Sequence, residues 1–336
     1  MLGITPWNLK HQCRIFIKTV VGLFMSADEP NNRLAVPKNV SAMPSSHEEP
    51  ESGLVQIRVI GFGAEGTAAV ANLEKHPAPG LSFMQYKPPK QAGGKQKSGG
   101  IAASSTGDFD SWLECAQTLV LIVDENDVDL HRDAIALGRH AKAQGLLTIG
   151  VRLDGNVGEN QGEDHPQCSF FEELDAGMHS CIRLARIGNQ VAHERTALVL
   201  HSLTTGLAKL CNVQGSISVD YEDVLSVLGQ PARLSVGVGA ASGSERGLIA
   251  AQAALADLRP AALSPESVQS ALIMLSAVPG QLRLSETKLA INTVSAALGE
   301  GAHCIYGVYF DELPVDQTGV NTLDTLRLSI FLTSPA

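Results

Sequence analysis

No uninterrupted apolar run in this chain reaches the roughly 18 residues that a membrane-spanning helix needs. An excess of positive charge is missing too. The 25 Lys and Arg stand against 35 Asp and Glu, a formal net charge of −10. The chain as a whole is therefore a poor candidate for nonspecific nucleic-acid binding. The 6 cysteines, at positions 13, 115, 168, 181, 211 and 304, show no CxxC spacing. Cys115, Cys181 and Cys211 sit in apolar or helical contexts, which predicts buried, reduced thiols and a reducing compartment. What is present is an ordinary globular α/β composition, 44% hydrophobic and 18% charged with 32 glycines. A length of 336 residues is enough for two domains.

No acid precedes Asp28. On a helical wheel, residues 5–25 put Leu9, Cys13, Phe16, Val20, Leu23 and Phe24 on one face and Lys10, His11, Arg14 and Lys18 on the other. Trp7, Ile15 and Met25 fall outside the apolar arc. The pattern predicts a basic amphipathic helix lying on an anionic membrane surface. Its candidate membrane residues are Leu9, Lys10, Arg14, Phe16, Lys18, Val20, Leu23 and Phe24. The alternatives are a helix packed on the protein itself or on a partner, and a signal peptide, whose apolar core Lys18 would interrupt. Residues 26–53 repeat Pro, Asn, Ser and Glu without periodicity and read as a flexible linker.

The folded body begins at Leu54. Residues 55–60 form a strand pattern, followed at once by Gly61-Phe-Gly63-Ala-Glu-Gly66 and a helical stretch at 67–73. Strand, glycine turn and helix aim backbone N–H groups and a helix N-terminus at a phosphate, so Gly61, Phe62, Gly63, Ala64, Glu65 and Gly66 are the candidate cofactor-binding residues. A dinucleotide site would add an acid about 20 residues on. The next strand, 81–86, is followed instead by Lys87-Pro-Pro, which disfavours NAD; Glu65 is also a poor neighbour for a phosphate. Residues 87–107 form a Gly/Ser-rich loop in which Lys87, Lys90, Lys95 and Lys97 could reach an anion; the plainer reading is a mobile, solvated loop.

A buried strand at 118–123 runs into Asp124, Glu125, Asp127 and Asp129, then a helix at about 130–143 and a strand at 146–151. That order predicts a parallel sheet with crossover helices, whose ligands sit at the carboxyl ends of the strands. Four acids at such an end would repel a nucleotide. They could hold a divalent ion, or they form a solvated acidic loop. Residues 154–168 read as a further polar loop.

Leu200, Leu203, Leu207 and Leu210 recur at three- and four-residue steps and predict one buried helix over 197–211. Residues 213–215 break it. Ser218-Val-Asp220-Tyr-Glu-Asp223 then starts another helix, with Ser218 or Asp220 available as N-cap. Beyond Gly229, segments at 233–238, 244–257, 268–277, 289–298, 304–310 and 326–333 alternate between strands and helices, a smaller α+β unit.

Over about residues 55–333 this order of parts resembles the FtsZ/tubulin superfamily, and FtsZ in particular. SVDYEDVLSVLG resembles the family's synergy loop, NxDxxD; GVGAASGSERGLIAAQAAL, SAVPGQLRLSETKLAINTVSAALGEGAHCIYGVYFDE and LRLSIFLT resemble the C-terminal domain. The resemblance implies an α/β fold: a parallel-sheet, nucleotide-binding-type domain (54–192) joined by a central helix (193–212) to a smaller α+β domain (213–336). It makes Gly61–Gly66 the first phosphate loop. Asp220 and Asp223 match the carboxylates that act on GTP held by the next subunit of a filament, with Ser218 in place of the motif's Asn. Where the family has GGGTGTG, this chain has DENDVDLHRD, and acids cannot give an anion the close approach that glycine gives. The base-facing positions fall near His193 and Ala197, the segment before residue 118 is short, and no tail or anchor peptide is expected after the last strand.

The expectation is a filament-forming scaffold protein with a degenerate GTPase pocket, holding no cofactor or GTP/GDP only doubtfully. Its catalytic role would be limited to Asp220 and Asp223 acting in trans. It would self-assemble or co-assemble with an FtsZ-like homologue at the inner face of the cytoplasmic membrane, in membrane remodelling or division. The alternatives are an atypical active GTPase, with the Lys-rich loop replacing lost phosphate contacts, and a monomeric ligand-binding module.

Overall fold

The computed structural model describes residues 53–88, 109–154, 173–185, 190–213, 215, 217–230, 232–258, 268–299, 301–311 and 324–335. The amphipathic stretch 5–25, the linker as far as residue 52, Lys90, Lys95, Lys97 and the loop from 155 to 168 lie outside them.

Alternation in β1 (Ile57–Phe62) sends Ile57 and Val59 into one hydrophobic layer and Ile60 and Phe62 into another, all at most 1% exposed. β2 (Leu81–Gln85) and β3 (Thr118–Asp124) pair with β1 in parallel, and β4 (Leu147–Asp154) continues the series beside β3. All seven residues of β3 are buried, because helices cover both faces of a parallel sheet. The fifth strand, β5 (Ser180–Ala185), has no counterpart in the sequence reading. The second half supplies β6 (Ala232–Ser242), β7 (Ser270–Ala277), β8 (His303–Phe310) and β9 (Thr325–Pro335). Among the described residues the strands form one nine-stranded sheet, in the order β2-β1-β3-β4-β5-β6-β9-β7-β8. Among the described residues, its two halves meet at β5 and β6 through two residue pairs, Ser180 with Ala232 and Cys181 with Arg233.

Helices lie on both faces. α1 (Gly63–Leu73), the central helix α3 (190–212) and α4 (Tyr221–Leu228) share one layer. On the opposite face α2 (Val128–Ala143) covers the first half, and α5 (Arg246–Asp257) and α6 (Leu284–Leu298) cover the second. The central helix runs through three consecutive segments, α-helical Gln190–His201, π-helical Ser202–Gly206 and α-helical Leu207–Asn212. Leu200, Leu203, Leu207 and Leu210 are 1–3% exposed and pack in one core with side chains of both halves, among them Val120, Ile149, Met274 and Phe331. Burying four such side chains contributes about 6–12 kcal/mol. The hydrogen bonds of the short β5–β6 seam contribute about 1 kcal/mol each. The central helix, rather than sheet continuity, holds the halves together.

Three expectations need correction. Gly61–Gly66 is not a separate turn, since Gly61 and Phe62 finish β1 and Gly63 already begins α1. Of the four acids read as a solvated loop, Asp124 and Glu125 are 3% and 6% exposed, while Asp127 is half-buried and Asp129 exposed. Cys115 is exposed, at φ 62 in the turn before β3, whereas Cys181 and Cys211 are half-buried and Cys304 is buried. These four cysteines are free. Among the described residues no helix is long and apolar enough to cross a membrane.

Candidate functional site

The carboxyl ends of β1 and β3 meet at the start of α1. The glycines there serve close packing. A Cβ on Gly61 would lie 2.3 Å from the Gly66 carbonyl oxygen, and one on Gly66 would lie 2.5 Å from that of Ile122. Gly63 has φ +77°, and a Cβ on it would stand 2.7 Å from Asp124 Cβ and 3.2 Å from Asp127 Cβ. The acidic segment is thus pressed against the glycine that opens the helix. Asp124 Oδ2 accepts the Glu65 N–H at 3.2 Å, and its Oδ1 accepts Asn126 N–H at 3.0 Å and Asn126 Nδ2 at 3.2 Å. A first-turn N–H of a helix is the group that the resemblance assigns to a phosphate. Here an internal carboxylate takes it.

Aromatic side chains pack at the end of β1 on the other face of the sheet. Phe62 packs on Tyr86 with ring centroids 4.6 Å apart, and Tyr86 stacks on Phe109 at 6.0 Å. Tyr86 donates to Asp133 Oδ2 at 2.7 Å; burial, then that bond and the Asp133 charge, push the phenol pKa up. His131 donates through Nε2 to the Asp124 carbonyl at 3.1 Å, and burial lowers its pKa. Lys87 is exposed, Ala64 is exposed and Ala197 is half-buried. No cluster of three or more metal-ligating side chains exists among the described residues.

The other candidate residues sit at the opposite end of β3, where its strand begins. Asp220 occupies the N-cap position of α4 in extended backbone (φ −75°, ψ 153°), yet its side chain makes no capping bond. Asp220 is exposed, Asp223 is half-buried in the first turn, and Ser218 is exposed. Tyr221 between them anchors the loop, donating to the Gln117 carbonyl at 2.7 Å with its oxygen 2.9 Å from Thr118 Oγ1. Burial pushes the Tyr221 pKa up to about 12. Burial, then the Asp220 charge, pushes the Cys211 thiol up to about 12 as well. Upstream, Asn212 ends the central helix and clamps it: Nδ2 donates to Val55 O and Pro79 O, and Oδ1 accepts Val55 N–H, all at 2.8 Å. The Val308 N–H bonds the Ile217 carbonyl at 3.1 Å, fastening the loop along β8. Tyr221 and Asn212 went unnoticed in the sequence, where neither residue type signals an anchor by spacing.

β3 measures the separation of the two groups. Thr118, at its start, touches Tyr221; Asp124, at its end, touches α1. Six steps of a strand span about 20 Å. Asp220 and Asp223 therefore do not meet Gly61–Gly66 within one chain; the two groups occupy opposite poles.

Comparison with known proteins finds relatives by sequence and by fold. No family model matches the chain. The cell division protein FtsZ of Wolbachia pipientis is 28% identical over 202 residues, covering 57% of this chain and 64% of that protein. FtsZ of Caulobacter vibrioides is 30% identical over 190 residues, 52% of this chain and 36% of the relative. The matched part is thus less than two thirds of either relative. An FtsZ dimer from M. jannaschii, described as empty, superposes with a TM-score of 0.67 at 21% identity, over 84% of this chain and 89% of that one. CetZ from Methanosaeta thermophila superposes with a TM-score of 0.55 at 12% identity, over 84% and 88%. The chain has the fold of the FtsZ and CetZ structures and is similar in sequence to cell division proteins FtsZ over about half its length.

Proposed function

We propose that this chain is a head-to-tail assembly subunit that presents Asp220 and Asp223 to the pocket of a neighbouring FtsZ-like subunit and binds no nucleotide tightly itself. The observation that carries the reading is the separation of the two poles. Carboxylates at one end of β3 serve a pocket at the other end only when a second subunit stacks on the first, a heterologous contact that propagates into a filament. The bond from Glu65 N–H to Asp124 supports a pocket closed by its own side chain. The missing side-chain cap at Asp220 favours a carboxylate kept for another partner over a helix cap. In a neighbour holding GTP, two such carboxylates would orient a water against the γ-phosphate.

The basic amphipathic pattern of residues 5–25, with its linker, supports attachment to an anionic membrane surface. The relatives' description as cell division proteins supports a role in division or membrane remodelling. Negative-stain microscopy tests the reading, with the full chain alone and mixed with an active FtsZ homologue, on liposomes containing anionic lipid. Filaments or lattices in at least one mixture are expected. Their absence in every mixture would overturn the assembly reading, and equal liposome binding after deletion of residues 1–25 would overturn the tether.

A further inference from the structure

Neither pole uses the polar contacts along the middle of the central helix. His201 and Lys209 stand eight positions apart on it. On an uninterrupted α-helix, eight steps of about 100° leave two residues about 80° apart around the axis. The π-helical segment Ser202–Gly206 lies between them and absorbs one residue. The effective step becomes seven and the offset falls to about 20°. Both side chains consequently reach one carboxylate. His201 Nε2 lies 2.6 Å from Asp311 Oδ2, and Lys209 Nζ lies 2.6 Å from Asp311 Oδ1.

Asp311 follows β8 directly, is 3% exposed, and bonds through its N–H to the Ala277 carbonyl at the end of β7 at 3.0 Å. A single buried carboxylate at the ends of two strands thus grips the helix at two points. Further ties run to the same half of the sheet. Ser202 Oγ lies 2.8 Å from Ser329 Oγ on β9. Arg195 Nε bonds both carboxylate oxygens of Asp257 at 2.7 and 2.9 Å, while its Nη2 bonds Val236 O at 2.8 Å. Toward the first half, Thr205 Oγ1 donates to His76 O at 2.9 Å, and Asn212 holds Val55. Between helix and sheet, beside His201, Ser202, Tyr309 and Ser329, the cavity measures about 10 Å³. That is room for about one water, not for a ligand or a sliding helix.

We propose that these contacts form a constitutive lock, with Asp311 as its centre, that keeps the two halves of the molecule at one fixed angle whether or not nucleotide is present. The sheet seam is too short to do this, and the lock replaces it with charged, buried contacts made possible by the π-helical turn. In the assembly reading above, the fixed angle keeps Asp220 and Asp223 in one presentation. The lock itself is a property of the single chain, so failure of the assembly experiment leaves it standing.

Single-molecule energy transfer on the full chain tests it, with dyes at the exposed positions Glu74 and Lys288, one in each half. The unmodified chain is expected to give one narrow efficiency distribution, unchanged by millimolar GTP or GDP. Asp311→Asn is expected to broaden or shift the distribution, and Lys209→Met, which leaves the His201 bond, to do so less. Two populations in the unmodified chain, a nucleotide-dependent shift, or distributions unchanged in both variants would overturn the lock. Where Asp311→Asn does not fold, Lys209→Met and Arg195→Lys, which alter half-exposed groups, decide the matter.

Discussion

Asp124→Ala tests how the glycine pole is filled. The carboxylate is 3% exposed and accepts three hydrogen bonds, from Glu65 N–H, Asn126 N–H and Asn126 Nδ2. A hydrogen bond to a charged acceptor contributes about 1.5–3 kcal/mol net, but bonds that share one carboxylate do not add in full. An anion beside the first turn of α1 contributes about 0.3–1 kcal/mol more through the helix dipole. Removing the buried charge recovers part of its desolvation cost. The balance is a loss of about 2–3 kcal/mol. At roughly 2–4 °C per kcal/mol for a domain of this size, the melting temperature should fall by about 4–12 °C. Asp124→Asn keeps the shape and one acceptor and should lose about half as much. Circular dichroism at 222 nm, followed against temperature, reads both variants. A melting temperature within 1–2 °C of the unmodified chain for Asp124→Ala would refute the idea that this carboxylate stands in for a ligand at the helix start.

Asp220→Ala should leave the melting temperature unchanged, because the side chain caps nothing. Asp223→Ala should slow GTP turnover by a co-assembled active homologue by about 100-fold, and an unchanged partner rate would assign the carboxylate to α4 alone. Acid should loosen the lock. Burial would raise the Asp311 pKa, but the His201 bond and charge, then the Lys209 charge and bond, outweigh it and hold the carboxyl at about 2. A depressed pKa means stability that is complete above about pH 4 and lost as pH falls through 2, about 2 kcal/mol in all. Urea midpoints between pH 5 and pH 2 should therefore fall more steeply for the unmodified chain than for Asp311→Asn; parallel curves would contradict the assignment. Asn212→Ala removes three bonds at the foot of the central helix and should speed hydrogen exchange at the Val55 amide, with equal exchange as the contrary result.

Elements whose burial dictates their composition were legible in the chain. β3 is covered on both faces and reads as an unbroken apolar run, and the four leucines of the central helix mark its buried stripe. The π-helical turn left no trace, because leucine steps of three and four are the same on either kind of helix. β5 escaped notice because six residues, with exposed Arg183 among them, carry too few alternations to stand apart from a polar loop. The sequence separates the two candidate groups by residue, but does not show the packing around the first of them. An aspartate at the head of an acidic run reads as solvated; only the register of β3 beside β1, and the start of α1 at Gly63, bring Asp124 under that helix. The lock joins residues 102 and 110 positions apart, beyond the reach of any local pattern.

Calorimetric titration of the full-length chain with GTP and with GDP, in the presence of magnesium, bears most directly on the central claim that the glycine pole is closed by its own aspartate. No saturable heat up to millimolar nucleotide is the predicted result. A dissociation constant in the micromolar range, with release of phosphate from GTP by the chain alone, would contradict it.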